Sequence, residues 1–213
     1  MTTLRITEIF RSIQGESTKT GLPTTFIRLT GCPLRCWYCD TAYAFKGGEI
    51  KQLADIVKIA TDFKIKDICI TGGEPLAQPN VILLIKMLCD AGFLVSIETS
   101  GALSISELDK RCMIIMDIKT PASGEMEKNL YTNLDLLKPT DQLKFVICDR
   151  ADYAWSVEIL KKYNLINTAE VLFSTSFKQL SPTVLAEWII ADNLPVRFQL
   201  QLHKILWDDA PGH

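Results

Sequence analysis

Cys32-Pro33-Leu34-Arg35-Cys36-Trp37-Tyr38-Cys39 gathers three thiols in one short stretch. Spaced three and then two residues apart, they can converge from a single loop onto one iron–sulfur cube. Such a cube normally takes four cysteine ligands. No fourth cysteine lies nearby, so one iron is left open to bind something else. That suits a cluster that performs chemistry better than one that only passes electrons. Two blander readings stand beside this one: a structural zinc site and three free thiols. Zinc usually takes four protein ligands arranged as two pairs, and neither a second pair nor a nearby histidine exists.

The flanking residues place this loop. Thr25-Phe26-Ile27-Arg28-Leu29 reads as a strand, and Gly31 breaks it just before Cys32. Further strand-like runs are Asp67–Thr71, Leu94–Glu98, Cys112–Ile118, Gln142–Val146, Glu170–Phe173 and Val196–Leu200. Helical patterns fall between them at Leu53–Phe63, Asn80–Ala91, Ser106–Lys110, Asp152–Tyr163 and Pro182–Asp192, the last opened by the cap-and-proline pair Ser181-Pro182. Alternating strands and helices imply parallel β-α units. Roughly seven strands make an open barrel or a doubly wound sheet, and in both the working site lies at the carboxyl ends of the strands. Thr71-Gly72-Gly73-Glu74-Pro75 stands at such an end. Its glycines allow close backbone approach to a ligand, and Glu74 offers a carboxylate to an amine. Taken alone, it reads equally well as a plain turn.

At 213 residues and 47% hydrophobic content, the chain can bury a core, and one domain over 1–213 is expected. A net charge of -2 gives no footprint for nucleic acid or an anionic membrane. No basic segment followed by an apolar run opens the chain, so no signal peptide is visible. The apolar run Val81–Leu88 is interrupted by Lys86 and is too short to span a membrane. Of seven cysteines, Cys69, Cys89, Cys112 and Cys148 sit in or beside apolar strand- or helix-like runs and read as small buried hydrophobes. An odd count so placed argues against a disulfide framework and for a reducing cytoplasm.

The cysteine loop and the Gly-Gly-Glu-Pro turn together resemble the radical S-adenosylmethionine (SAM) superfamily. The resemblance implies a compact, open partial (β/α) barrel. It also implies a 4Fe–4S cluster on Cys32, Cys36 and Cys39, with SAM chelating the fourth iron. Phe10-Arg11-Ser12-Ile13-Gln14-Gly15-Glu16 narrows the match, because it resembles a segment of the 7-carboxy-7-deazaguanine synthase family. Gly21-Leu22-Pro23, Gly31-Cys32-Pro33, Cys39-Asp40-Thr41, Ile97-Glu98-Thr99-Ser100-Gly101 and Gln201-Leu202-His203-Lys204 continue it from the first strand to the last.

That family contracts 6-carboxy-5,6,7,8-tetrahydropterin to 7-carboxy-7-deazaguanine with loss of ammonia, a step toward queuosine and related deazapurines. Carried onto this chain, the resemblance implies pterin contacts at Ile13, Gln14, Gly15, Glu16 and Thr71, and a bidentate carboxylate clamp at Arg28. Gln14 supplies both a donor and an acceptor, as an edge reader needs. A charge inside the otherwise apolar strand of Arg28 favours a functional role on its own account.

SAM contacts are implied at Gly73 and Glu74, and magnesium at Thr41 beside Asp40. Asp117-Ile118-Lys119 stands where many relatives carry Ser-Pro-Lys. Phe173, Ser174, Thr175 and Ser176 stand where relatives show a Gln-Pro-containing cofactor loop. Trp37 and Tyr38 are expected to shield the cluster from water. An external one-electron donor of flavodoxin or ferredoxin type and a homodimer complete the expectation.

No catalytic side chain is assigned beyond the cluster and cofactor; His203 reads as a core or orienting histidine. The stretch Leu206–His213 runs past the point where some relatives end on a substrate contact. A glycyl-radical-activating enzyme shares the cysteine loop but has no need of Gln14-Gly15-Glu16 or Asp40-Thr41. An electron-transfer module calls for a fourth cluster ligand.

Overall fold

The computed structural model describes residues 2–208 together with Ala210 and Gly212. Of the extended tail, Asp209, Pro211 and His213 lie outside the described residues. The chain runs through β1 (Thr3–Ile13), β2 (Pro23–Leu29), β3 (Glu49–Gln52), α1 (Leu53–Phe63), β4 (Asp67–Gly72), α2 (Asn80–Asp90), β5 (Leu94–Thr99) and β6 (Met113–Asp117). It continues through β7 (Gln142–Ile147), α3 (Arg150–Lys162), β8 (Glu170–Thr175), α4 (Pro182–Ala191), β9 (Arg197–Gln199) and α5 (Leu202–Trp207).

All nine strands form one sheet in the order β3-β1-β2-β4-β5-β6-β7-β8-β9. The seven runs expected from sequence are the parallel array β2 and β4 to β9. β1 adds to it antiparallel and carries β3 on its far side. The sheet does not close on itself, which makes it an open partial barrel.

Side-chain parity decides what each face of the sheet does, because successive residues of a strand point to opposite faces. Ile27, Ile70, Ile97, Ile114, Leu143 and Phe145 point outward into a core with helix residues such as Ile56, Leu84, Ile159 and Leu185. The alternate positions Arg28, Thr71, Glu98, Ile115 and Lys144 line a cavity on the concave face. Apolar outside and polar inside is the pattern of a barrel built to hold a ligand.

Ser106–Lys110, expected as a helix, forms only turns. Ser104 Oγ accepts from Ser106 N at 3.3 Å, and Asp109 Oδ1 accepts from Arg111 N at 2.9 Å. These short side-chain bonds offer the backbone an alternative to helix. β1, β3 and α5 were not expected. Among the described residues no helix is long and apolar enough to cross a membrane.

Residues 14–22, between β1 and β2, turn inward and close the amino end of the barrel. Thr18 N donates to Gln142 Oε1 at 3.0 Å, and Lys19 pairs with Asp67; these partners are the first residues of β7 and β4. The cavity thus has the carboxyl-end loops at its mouth and the Gln14-Gly15-Glu16 segment as its floor.

Candidate active site

Cys32, Cys36 and Cys39 are unpaired, half-buried thiols on one wall of a cavity of about 540 Å³. Gly31 opens their loop with φ +98°, a conformation that favours glycine. Its N–H donates to Ala44 O at 2.8 Å, and its carbonyl accepts from Glu74 N at 2.9 Å, so the cysteine loop and the Gly-Gly-Glu-Pro turn are stitched together. Gly73 is needed for steric reasons: a Cβ there would lie 2.2 Å from Gly31 O and 2.8 Å from Cys32 Cβ.

The other side of the loop docks on residues 120–125. Arg35 N donates to Glu125 Oε1 at 2.5 Å, and Trp37 Nε1 donates to Ala122 O. Trp37, 56% exposed, and the half-buried Tyr38 both line the cavity beside the three thiols.

Burial pushes all three thiols above their ordinary pKa, and the Lys119 charge draws all three back down. Lys119 Nζ itself holds Asp117 Oδ2 at 3.0 Å. The remaining oxygen, Asp117 Oδ1, is buried at the cavity wall with no protein donor among the described residues. Three thiols around a shared cation, with no fourth cysteine on the cavity wall, fit a cube with one open iron. The orphaned carboxylate oxygen fits a donor on a bound cofactor, such as an ammonium or a ribose hydroxyl. No group of three or more His, Cys, Asp or Glu among the described residues, the three loop thiols included, is gathered closely enough to hold a single metal ion.

Deeper in, the charges are paired. Glu16 Oε2 accepts from Lys144 Nζ at 2.7 Å and Glu16 Oε1 accepts from Gln201 Nε2 at 2.7 Å. Burial would raise the Glu16 carboxyl, but Lys144 and, further off, His203 bring it down to about 2. Burial works equally against the Lys144 ammonium; Glu16 and Asp117 outweigh it and hold that proton well above the ordinary lysine range. Arg28 Nε donates to Glu8 Oε1 at 2.7 Å, and Thr71 Oγ1 donates to Glu98 Oε2 at 2.8 Å. Gln14 Oε1 accepts from Glu16 N at 3.1 Å. Thr41 Oγ1 donates to Asp40 Oδ1 at 2.7 Å at the cavity rim.

The cavity therefore brings together Ile13, Gln14, Gly15, Glu16, Arg28, Cys32, Cys36, Cys39, Thr41, Thr71, Gly73, Asp117, Lys119 and Ser176. It does not take in Glu74, Ile118, Phe173, Ser174 or Thr175. Glu74 is fully buried, and its carboxylate accepts from Thr99 Oγ1, Ser100 N, Ser100 Oγ and Leu76 N, so it builds the turn instead of facing the ligand. Phe173 has outward parity on β8 and belongs to the core beneath the helices. Sequence reasoning missed Lys144, Glu98 and Gln201 as cavity residues. Lys144 carried the same signal as Arg28, a lone charge at an inward position of an apolar strand.

Comparison with known proteins agrees with this architecture. The family model for the radical SAM superfamily matches residues 26–173, and the chain belongs to that superfamily. Crystal structures share the fold. QueE from Escherichia coli aligns with a TM-score of 0.79 at 22% identity, covering 95% of this chain and 96% of that one. SuiB from Streptococcus suis bound to S-adenosylmethionine aligns with a TM-score of 0.56 at 14% identity, covering 80% of this chain and 45% of that one.

The sequence relatives are narrower. A 7-carboxy-7-deazaguanine synthase of Chlorobaculum tepidum is 42% identical, covering 98% of this chain and 97% of the relative. Another, from Koribacter versatilis, is 41% identical over 96% and 97%. The chain belongs to the 7-carboxy-7-deazaguanine synthase family.

Proposed function

We propose that the protein is a radical SAM lyase that converts 6-carboxy-5,6,7,8-tetrahydropterin to 7-carboxy-7-deazaguanine with loss of ammonia, in queuosine or related deazapurine biosynthesis. The observation that carries the reading is a single cavity with three unpaired thiols at its mouth and a polar floor of Gln14, Glu16, Arg28 and Lys144.

Cys32, Cys36 and Cys39 hold the 4Fe–4S cluster, and Gly73, Asp117, Lys119 and Ser176 line the space for SAM. Bound there, the two would supply the one-electron chemistry that removes a hydrogen atom from the substrate. The chain's own residues bind and orient the pterin. Arg28 takes its carboxylate through a guanidinium fork. Gln14, Glu16 and Thr71 read its hydrogen-bonding edge, with Glu16 kept ionised by Lys144. Phe26, Ile115 and Val146 present apolar surface to the ring and exclude water.

Magnesium would sit at Thr41, with substrate oxygens and water as its further ligands and Asp40 hydrogen-bonded behind the Thr41 hydroxyl, because this ion typically takes few protein ligands. The electron comes from a flavodoxin- or ferredoxin-type donor. A homodimer is the expected assembly; exposed Ile205 and Leu206 on α5 offer apolar surface for one, and light scattering on the purified protein tests it.

The central test is an anaerobic assay of the reconstituted protein with SAM, dithionite, magnesium and 6-carboxytetrahydropterin, following product by mass. Deazaguanine formation that is lost in Cys36→Ala supports the reading. An intact cluster that cleaves SAM without forming deazaguanine rejects the substrate.

A further inference from the structure

The β1–β2 ladder slips by one residue between Ile6 and Glu8: Ile6 faces Leu29, whereas Glu8 faces Arg28. Continued without the slip, the ladder would set Thr7 opposite Arg28 and Glu8 opposite Ile27, whose side chain points into the outer core. The bulge thus delivers a carboxylate beside the guanidinium, and re-aiming a side chain next to a site is a common use of bulges.

Glu8 Oε1 accepts from Arg28 Nε at 2.7 Å and from Tyr43 OH at 2.8 Å. Tyr43 comes from the short 3₁₀ turn Ala42–Phe45, directly after Thr41. The guanidinium carbon lies 5.7 Å from the Phe10 ring centroid and 5.8 Å from that of Tyr43. Arg28 is therefore held by three side chains from two elements, Glu8 on its Nε and the Phe10 and Tyr43 rings against the guanidinium. Its two Nη groups have no protein acceptor among the described residues. Arg28 lines the cavity, while Glu8 and Tyr43 stand behind it and do not.

We propose that Glu8 and Tyr43 are positioning residues that lock the Arg28 guanidinium by its Nε edge, leaving the Nη edge for a ligand carboxylate, and so set the preference for a carboxylated pterin. This rests on reading Arg28 as the substrate-carboxylate clamp. An arginine left free would have to give up substantial rotamer entropy on binding. Fixing it beforehand removes that cost from the binding step.

The charge of Glu8 opposes a ligand carboxylate, so removing it confounds geometry with Coulomb attraction. Glu8→Asp keeps the charge and withdraws the oxygen by one methylene. Tyr43→Phe removes only the hydroxyl.

The test measures equilibrium binding of 6-carboxytetrahydropterin and of the same pterin without its carboxylate, in the anaerobically reconstituted enzyme with SAM present. The readout is the ratio of the two dissociation constants. The expected preference for the carboxylated ligand falls about tenfold in Glu8→Asp and about threefold in Tyr43→Phe, with binding of the other ligand unchanged. A loss of fold quality weakens both ligands together and leaves the ratio intact. If Arg28→Gln abolishes the preference while Glu8→Asp and Tyr43→Phe keep it, positioning is rejected and the clamp survives. If Arg28→Gln leaves the preference intact, the clamp and the positioning both fall.

Discussion

Lys144 on β7 reaches Glu16, 128 positions earlier in the chain, at 2.7 Å, and the pair stands against the cavity floor with Gln201 on the carboxylate's other oxygen. Each partner holds the other charged: burial pushes Glu16 up, and the Lys144 ammonium takes it down to about 2. A depressed carboxyl contributes stability that is fully present above the unfolded pKa of about 4.3 and is lost as pH falls toward the folded value.

Lys144→Met removes that contribution and leaves desolvation in charge of Glu16. The variant should lose about 3 kcal/mol at pH 8, the cost of stranding a buried charge. The deficit should shrink as pH falls and Glu16 takes up a proton. Melting temperatures of both proteins at pH 8 and pH 5 check this; a gap that stays constant with pH removes Glu16 from the account. Pterin binding by the variant should also become acid-sensitive between those pH values.

Gly15 is wedged against the C-terminal helix. A Cβ there would lie 2.0 Å from His203 Nδ1 and 3.0 Å from His203 N, while Leu202 N donates to Gly15 O at 2.9 Å. Gly15→Ala must push α5 away and take Gln201 off Glu16. The expected result is a KM for pterin raised by at least about tenfold, since a lost hydrogen bond to a charged group is worth that much. His203→Ala in the same chain clears the ring atoms but not the backbone nitrogen and should restore part of the loss. Steady-state KM for the single and double variants reads this directly.

At the mouth, Gly73→Ala puts a methyl group where Gly31 O stands, 2.2 Å away, with Cys32 Cβ at 2.8 Å. Both neighbours are on the cysteine loop and neither is a flexible side-chain end. The loop must move and the three thiols lose their common focus. Iron content after reconstitution and the cluster's visible absorbance should both fall severalfold, whereas Gly47→Ala, whose φ of +83° strains an alanine but whose Cβ meets nothing within 4 Å, should lose some stability and keep the cluster.

The parallel array was legible because each strand is a β-branched run bounded by turn residues, and the cysteine spacing specified its own chemistry. Three failures have separate causes. β1 carries Arg5, Glu8 and Arg11, and its bulge breaks the period-two alternation on which a strand is recognised. Ser106–Lys110 has helical spacing but is too short to nucleate against its own serine and aspartate side chains. Glu74 belongs to a motif that faces the ligand, yet sequence does not tell whether backbone or side chain does so. Here Gly73 borders the cavity while the Glu74 carboxylate turns into Thr99 and Ser100. Phe173 and Thr175 were assigned by their place after the strand; parity, once register is known, turns both away from the cavity.

Asp152, at the start of α3, touches neither the cavity nor Cys32, Cys36 or Cys39, yet it should govern the cluster. Its Oδ2 accepts from Thr120 Oγ1 at 3.0 Å and Cys148 N at 3.1 Å, and its Oδ1 accepts from Ala122 N at 2.9 Å. These bonds fix the segment whose Ala122 carbonyl takes Trp37 and whose Glu125 takes Arg35 N. Asp152→Ala leaves the buried Cys148 N–H and the half-buried Ala122 N–H without their acceptor, while the Thr120 hydroxyl keeps Val146 O at 3.1 Å, a loss of about 2–3 kcal/mol. Thr120→Val removes one of those bonds and fills the space, so it should cost only about 1 kcal/mol. If the segment braces the cysteine loop, reconstituted Asp152→Ala should lose iron to a chelator faster than wild type even at temperatures well below its melting point, with Thr120→Val intermediate. Equal chelation rates in folded protein would confine Asp152 to stability alone.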